Sequence, residues 1–181
     1  MNSFYSNDEL KQIGFKEFGK NVLISRKTSV YSPEKIKIGN NVRIDDFCIL
    51  SGDIEIGNNV HIAAYTALYG KMGIKIGDFC GCSARTIIYS ATDDFSGEYM
   101  ISPMVPEELT NVQGGKVVLE NFVQIGANTI VMPNITISEG TSIGAMSFVK
   151  NNTEAWKIYA GIPCKIIKDR KKNIIELSKK I

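Results

Sequence analysis

Aliphatic residues recur every six positions along most of this chain. A first run is Ile38, Ile44, Leu50, Ile56, Ile62 and Leu68. The frame slips by two residues and resumes at Ile76, Cys82 and Ile88. After a long interruption it returns at Leu119, Ile125, Val131, Ile137, Ile143 and Val149. Four positions after most of these stands a small or β-branched residue: Val42, Cys48, Ile54, Val60, Thr66, Cys80, Thr86, Val123, Thr129, Ile135, Thr141 and Ser147. A six-residue period matches neither the 3.6 of a helix nor the alternation of a plain strand. It predicts a short strand plus a turn per hexad, with one aliphatic side chain always pointing inward. Three hexads close a triangular coil, and stacked coils bury the aliphatic columns as parallel strands about 4.8 Å apart. The glycines and asparagines of "IGNN", "IGDF" and "IGAN" supply the backbone freedom each corner needs. The pattern predicts an all-β chain, a parallel β-helix over residues 24–160.

The flanks and the interruption differ in character. Within 1–23, "SNDELKQI" offers Ser6 as N-cap with Glu9 three residues on, a capping box that opens a short helix. Over 161–181, Ile167, Ile174, Leu177 and Ile181 fall at roughly heptad spacing among lysines, which predicts an amphipathic C-terminal α-helix. The interruption, 90–116, holds Asp93, Asp94, Glu98, Glu107 and Glu108 with no Lys or Arg before Lys116, together with Phe95 and Tyr99. A loop this long inside a compact domain is usually functional. Carboxylates and aromatic rings suit the hydroxyls and ring faces of a sugar, so Phe95, Glu98 and Tyr99 are candidate acceptor contacts. An acidic excursion that packs against another subunit is the alternative.

Composition narrows the chemistry. The 181 residues suit one domain, and 44% hydrophobic content suffices for a substantial core. A net charge of +2 gives no field for nucleic acid. Neither a signal peptide nor a run of spanning length is present, so a cytoplasmic protein without membrane insertion is expected. The four cysteines are too scattered for a disulfide framework, and Cys80 and Cys82 have no neighbouring histidine to complete a metal site. His61 is the only histidine.

The hexads, followed by "TEAWKIYAGIPCKIIKDR" at 153–170, resemble the hexapeptide-repeat acyltransferases. Within them the likeness is to sugar acetyltransferases of the galactoside, maltose and surface-polysaccharide type, carried also by "IKIGDFCGCSARTIIYSATDD". The resemblance implies a left-handed coil, a homotrimer, and three sites between subunits where acetyl-CoA donates to a sugar or nucleotide-sugar. It implies that the thioester arm passes the small turns Gly126-Ala127 and Gly144-Ala145, although corner geometry alone also asks for small residues there. The phosphates of CoA would meet Lys150, Lys165 and Arg170. Trp156 either covers the adenine or seals the prism's end.

Acyl transfer to a hydroxyl needs a base and oxyanion donors. In the galactoside type the base is a histidine in the loop, and here that slot falls on Asp93, beside Asp94. An asparagine of that type falls on Ala63. A carboxylate with its ordinary pKa near 3.9 is a poor base for a hydroxyl, whereas it anchors an ammonium and relays its proton. The acidic loop therefore points to an amino sugar on a nucleotide carrier, with a glycan hydroxyl as the other acceptor. His61, at a coil corner, resembles a histidine that lies near the thioester in nucleotide-amino-sugar acetyltransferases. Their separate catalytic histidine falls on Gly52 and is absent. Asp93, His61 and Asp94 are the catalytic candidates. A carbonic anhydrase on this fold is excluded by the single histidine. A binding or scaffold protein that lost the chemistry is the non-enzymatic alternative.

Overall fold

The hexads close into a three-sided prism. The computed structural model describes residues 3–181. Face A stacks Val22–Ile24, Val42–Ile44, His61–Ile62, Gly81–Cys82, Gln124–Ile125, Ser142–Ile143 and Lys157–Gly161. Face B stacks Ser29–Tyr31, the first halves of Ile49–Ile56 and Ala67–Ile76, then Ile87–Tyr89, Ile130–Val131 and Phe148–Val149. Face C stacks Glu17–Phe18, Ile36–Ile38, the second halves of the same two long strands, Val117–Leu119 and Thr136–Ile137. Within these faces, every pairing between coils is parallel.

The register places each hexad leader directly on the next. Ile44, Ile62, Cys82, Ile125 and Ile143 form one column, and Leu50, Leu68, Ile88, Val131 and Val149 another. All fifteen leaders are at most 2% exposed. Burying each contributes about 1.5–3 kcal/mol relative to leaving it in water. The second column is buried too, and its polar members bond carbonyls of the corners and of the neighbouring rung. Thr86 Oγ1 donates to the Ser83 carbonyl at 2.7 Å, Ser147 Oγ to that of Gly144 at 2.7 Å, and Cys80 Sγ to that of Glu120 at 3.1 Å. Corner residues often take left-handed backbone, costly for bulky side chains. At one corner Phe79, Phe122 and Trp156 do so with φ of 57°, 63° and 57°. The Phe79 and Phe122 rings stack with centroids 5.2 Å apart and Trp156 lies tilted against Phe122 at 6.1 Å, which offsets that cost.

The ends are closed differently. Helix α1 (Asn7–Ile13) carries the expected capping box, Ser6 N–H donating to Glu9 Oε2 at 2.7 Å and Ser6 Oγ accepting from Glu9 N–H at 3.4 Å. Its Leu10 is wholly buried against the first coil. That coil starts earlier than expected, at Glu17–Phe18, inside the 1–23 segment. The C-terminal helix is shorter than expected. Cys164–Asp169 is a strand, antiparallel to Lys157–Gly161, and only Asn173–Ser178 (α2) is helical. The last rung of face A would otherwise leave a row of backbone groups unpaired, and β-branched Ile166 and Ile167 suit the added strand. Trp156 packs on Gly140 and Phe122 and seals this end.

Departures from the hexad gather at one corner, where face B turns into face C. The first is the 3-10 turn Pro33–Lys35. The second is the two-residue slip, which places Lys71 and Met72 in the corner of Ala67–Ile76 and shifts the register between Gly52 and Ile54. The third is the long loop, whose neck is an antiparallel pair, Ala91–Thr92 with Gln113–Gly114. The neck needs a glycine at 114, because a Cβ there would sit 2.3 Å from the Ser90 carbonyl oxygen.

Candidate functional site

Two cavities carry the candidate chemistry, and no residue lines both. One is a groove of about 540 Å³ on face A, lined by Arg43, His61, Ala63, Gly81, Ser83 and Gln124 among others. His61 Nε2 lies 2.8 Å from Asp45 Oδ2, and Arg43 Nε donates to Asp45 Oδ1 at 2.7 Å. Partial burial works to raise the Asp45 pKa, but hydrogen bonds from Arg43 and His61 outweigh it and hold the carboxyl below its ordinary range. The imidazole is thereby oriented, and Nδ1 is the ring nitrogen left for a ligand. One rung on, Gly81 has no side chain, and the Gln124 amide lies across the gap. Gln124 Nε2 reaches Ser83 Oγ at 3.4 Å.

The second cavity, about 750 Å³, lies under the long loop and is lined by Lys71, Met72, Asp93, Pro103, Glu107 and Asn111 among others. The Asp93 carboxylate has no hydrogen-bond partner among the described residues and faces this space. Asp94 is held differently. It accepts from Ser96 N–H at 2.7 Å, Asn111 Nδ2 at 2.9 Å and Gln113 Nε2 at 3.3 Å. The Ser96 bonds hold its carboxyl below the usual range, with Asn111 helping. Asp94 is thus a staple across the loop. Phe95, Glu98 and Tyr99 do not line the cavity within the chain, and Phe95 is 81% exposed on the loop's outer side. The cavity wall comes instead from Lys71, Met72 and the returning limb.

Of the residues expected near CoA, Arg170 turns inward. Its Nη1 donates to the carbonyls of Phe122 at 2.7 Å, Gly140 at 3.0 Å and Thr141 at 3.3 Å. A side chain of intermediate exposure, bonded inward in this way, braces the aromatic corner. Lys150 and Lys165 are exposed and pair with no acid among the described residues. Gly126 and Gly144 have a packing reason for their size. A Cβ on Gly126 would stand 2.4 Å from the Ala145 nitrogen, and one on Gly144 would stand 3.0 Å from the Ala160 Cβ. The hydrogen-bond ladder makes Ala63, Ser83, Gly126, Gly144 and Ala160 one continuous strip on successive rungs, with Ala127 and Ala145 beside it. Lys165 lies across from Ala160. Ser83 was missed in the sequence because it occupies the small slot after an inward residue, where serine is also a satisfactory corner residue. Lys71 was not singled out in the sequence, because it lies in the two-residue slip between Leu68 and Ile76.

Among the described residues no group of three His, Cys, Asp or Glu is arranged to hold a metal ion, and no helix is long and apolar enough to cross a membrane.

Comparison with known proteins places the chain. The family model "Bacterial transferase hexapeptide (six repeats)" matches residues 35–70. The dTDP-4-amino-4,6-dideoxy-D-glucose acyltransferase of Escherichia coli is 46% identical over 172 residues, covering 93% of this chain and 90% of the relative. AntD, an N-acyltransferase from Bacillus cereus solved as a variant in complex with dTDP-4-amino-4,6-dideoxyglucose and coenzyme A, is 56% identical. It superimposes with a TM-score of 0.96 over 99% of this chain and 97% of that one. Galactoside acetyltransferase in complex with coenzyme A shares the fold at 19% identity and a TM-score of 0.59, over 93% of this chain and 72% of that one. The chain belongs to the hexapeptide-repeat acyltransferases, and its prism is their left-handed parallel β-helix.

Proposed function

We propose that this enzyme transfers an acyl group from an acyl-CoA to the amine of a dTDP-linked 4-amino-4,6-dideoxy sugar. The observation that carries this is the unpartnered Asp93 carboxylate, facing the loop cavity where the galactoside type places an imidazole. The near full-length relatives named for a dTDP-amino sugar support the same acceptor. An ammonium is anchored by a carboxylate. Once it has lost a proton to Asp93, its lone pair attacks the thioester carbonyl carbon. The C–N bond forms, the C–S bond breaks, and the nitrogen's second proton passes to the departing thiolate sulfur. The acyl group need not be acetyl, since AntD has been solved with 3-hydroxybutyryl-CoA.

Ser83 belongs to the donor half. AntD has been studied in variants at a serine and at an aspartate ten positions apart. Ser83 and Asp93 have the same separation here, in chains that align almost end to end. The small-residue strip from Ser83 to Ala160 accommodates the pantetheine arm, and Lys165 and Lys150 meet the phosphates. The Ser83 hydroxyl donates toward the thioester oxygen, where negative charge develops. His61, held by Asp45, lies in this same groove and orients the donor rather than exchanging the proton with Asp93. The two cavities stand on different parts of one prism, so a neighbouring copy completes the site. A homotrimer is supported by the outward column of face B, Ile49, Ala67, Ile87, Ile130 and Phe148, which is apolar on the solvent side of its sheet. Acyl-CoA and nucleotide sugars are cytoplasmic metabolites, which supports a cytoplasmic step in making precursors for surface polysaccharide.

The test is direct. Purified protein with dTDP-4-amino-4,6-dideoxyglucose and acetyl- or 3-hydroxybutyryl-CoA should release one thiol per amide formed. Asp93→Asn should lower kcat at least about tenfold and leave the acyl-CoA Kd within about twofold. No thiol release with any acyl-CoA would overturn the function, and wild-type turnover in the variant would remove Asp93 from the proton transfer.

A further inference from the structure

At the face B to face C corner the first two excursions, the 3-10 turn and the two-residue slip, line a third cavity of about 370 Å³. Ser32, Lys35, Ser51, Asp53, Tyr69 and Lys71 line it. Lys71 also lines the Asp93 cavity, so the two spaces meet at this side chain. Together they form one groove that runs from Asp93 toward the N-terminal coils, away from the rungs that carry the small-residue strip. Neither Lys35 nor Lys71 forms an ion pair or a side-chain hydrogen bond among the described residues, and Asp53 is the one acid in this stretch of the wall. Two free ammonium groups facing one cavity are a ready receiver for a polyanion. The slip that carries Lys71 is fixed in place. Ser90, wholly buried, donates from Oγ to the Tyr69 carbonyl at 3.0 Å and accepts from Met72 N–H at 2.8 Å. The loop root and the lysine-bearing bulge therefore form one rigid wall. The spacing also fits. The strands leading to Asp93, Lys71, Asp53 and Lys35 occupy successive rungs, with Tyr89 on Tyr69, Tyr69 on Ser51 and Ser51 on Tyr31, each step being about 4.8 Å. Across one pyranose ring, an amine and an anomeric phosphate differ by about one such step.

We propose that Lys71 and Lys35 bind the diphosphate of the acceptor nucleotide, with Tyr69, Ser51 and Ser32 beside the nucleoside. In this arrangement the sugar amine rests at Asp93. The inference deepens the proposed function and rests on it. The acceptor enters from the N-terminal side of the prism and the acyl-CoA from the C-terminal side. The two lysines set the preference for a diphosphate-linked sugar over a free one.

The test uses calorimetric titration of the full-length protein with dTDP, and with thymidine as a probe lacking phosphates. Lys71→Met should weaken dTDP at least about tenfold, and Lys35→Met by about three- to tenfold. Thymidine and acyl-CoA should bind as in wild type. Lys71→Arg should retain dTDP within about threefold, because it keeps the charge. Raised salt should weaken dTDP in wild type more than in the double Met variant. If wild type binds dTDP and both Met variants bind it equally well, the lysine assignment is overturned while the acceptor reading stands. If wild type does not bind dTDP at all, the acceptor reading falls and takes this inference with it.

Discussion

Replacing Arg170 with Met separates a structural cation from a phosphate ligand. The side chain keeps its stem but loses the donors that hold three carbonyls, those of Phe122, Gly140 and Thr141, at 2.7, 3.0 and 3.3 Å. The first is a short charge-assisted bond, the second ordinary, and the third long enough to count for little. A hydrogen bond to a charged group contributes about 1.5–3 kcal/mol when its partner is left dry. Water can reach part of this site, so the three together should contribute about 2–3 kcal/mol rather than their sum. A chain of this size loses about 2–4 °C of thermal midpoint per kcal/mol, which predicts a fall of about 5–10 °C. The loss should be accompanied by easier opening of the Phe122–Trp156 corner, read as a change in Trp156 fluorescence, since Trp156 is the only tryptophan. Acyl-CoA affinity at 20 °C should stay within about twofold. A variant with the wild-type midpoint and a tenfold weaker coenzyme would refute this assignment and restore Arg170 as a phosphate ligand.

Two further outcomes test the packing and the N-terminal closure. Gly126→Ala should destabilise by about 2–3 kcal/mol in urea unfolding, because its Cβ meets backbone of the next rung at 2.4 Å. Gly144→Ala meets the Ala160 Cβ at 3.0 Å as its nearest atom, a side-chain methyl rather than close backbone, and should cost less than about 1 kcal/mol. Equal effects would show that the rungs yield where the geometry says they cannot. The Arg26 guanidinium holds the Glu9 carboxyl down to about 2 from its ordinary 4.5, with the Ser6 bonds assisting. A depressed carboxyl contributes stability that is full above about pH 4.5 and is lost as pH falls toward 2. Arg26→Ala should flatten that part of the acid-stability curve, and superimposable curves for variant and wild type would discount the pair.

The core was legible because one physical constraint repeats. Each coil must bury one aliphatic per face, so Ile44, Ile62 and Cys82 could be aligned before any coordinates. Asp93 was legible as a departure from a known loop, and it does face a cavity. Asp94 was not separable from it, because adjacent carboxylates look alike until one of them is seen stapling Asn111 and Gln113. Arg170 read as a phosphate ligand from its lysine-rich surroundings, yet its direction depends on carbonyls contributed from positions 122, 140 and 141, far away in sequence. The tail misled for a related reason. Heptad spacing of Ile167, Ile174, Leu177 and Ile181 suggested a helix over 161–181, but the unpaired edge of the last rung favoured a strand at Cys164–Asp169. Ser83 carried no local signal, and its neighbour Gln124 comes from another coil.

The neck of the long loop has a consequence for how such proteins diversify. Gly115 N–H donates to the Ser90 carbonyl at 3.0 Å, so the coil is bridged before the excursion begins. On either side, Ile88 stacks on Val131 and Ile76 on Leu119, as though no residues intervened. The segment between is therefore a cassette, replaceable in length and lining without disturbing the rungs on either side. Change along a lineage can then proceed by exchanging one insert while the stacked coils are inherited intact.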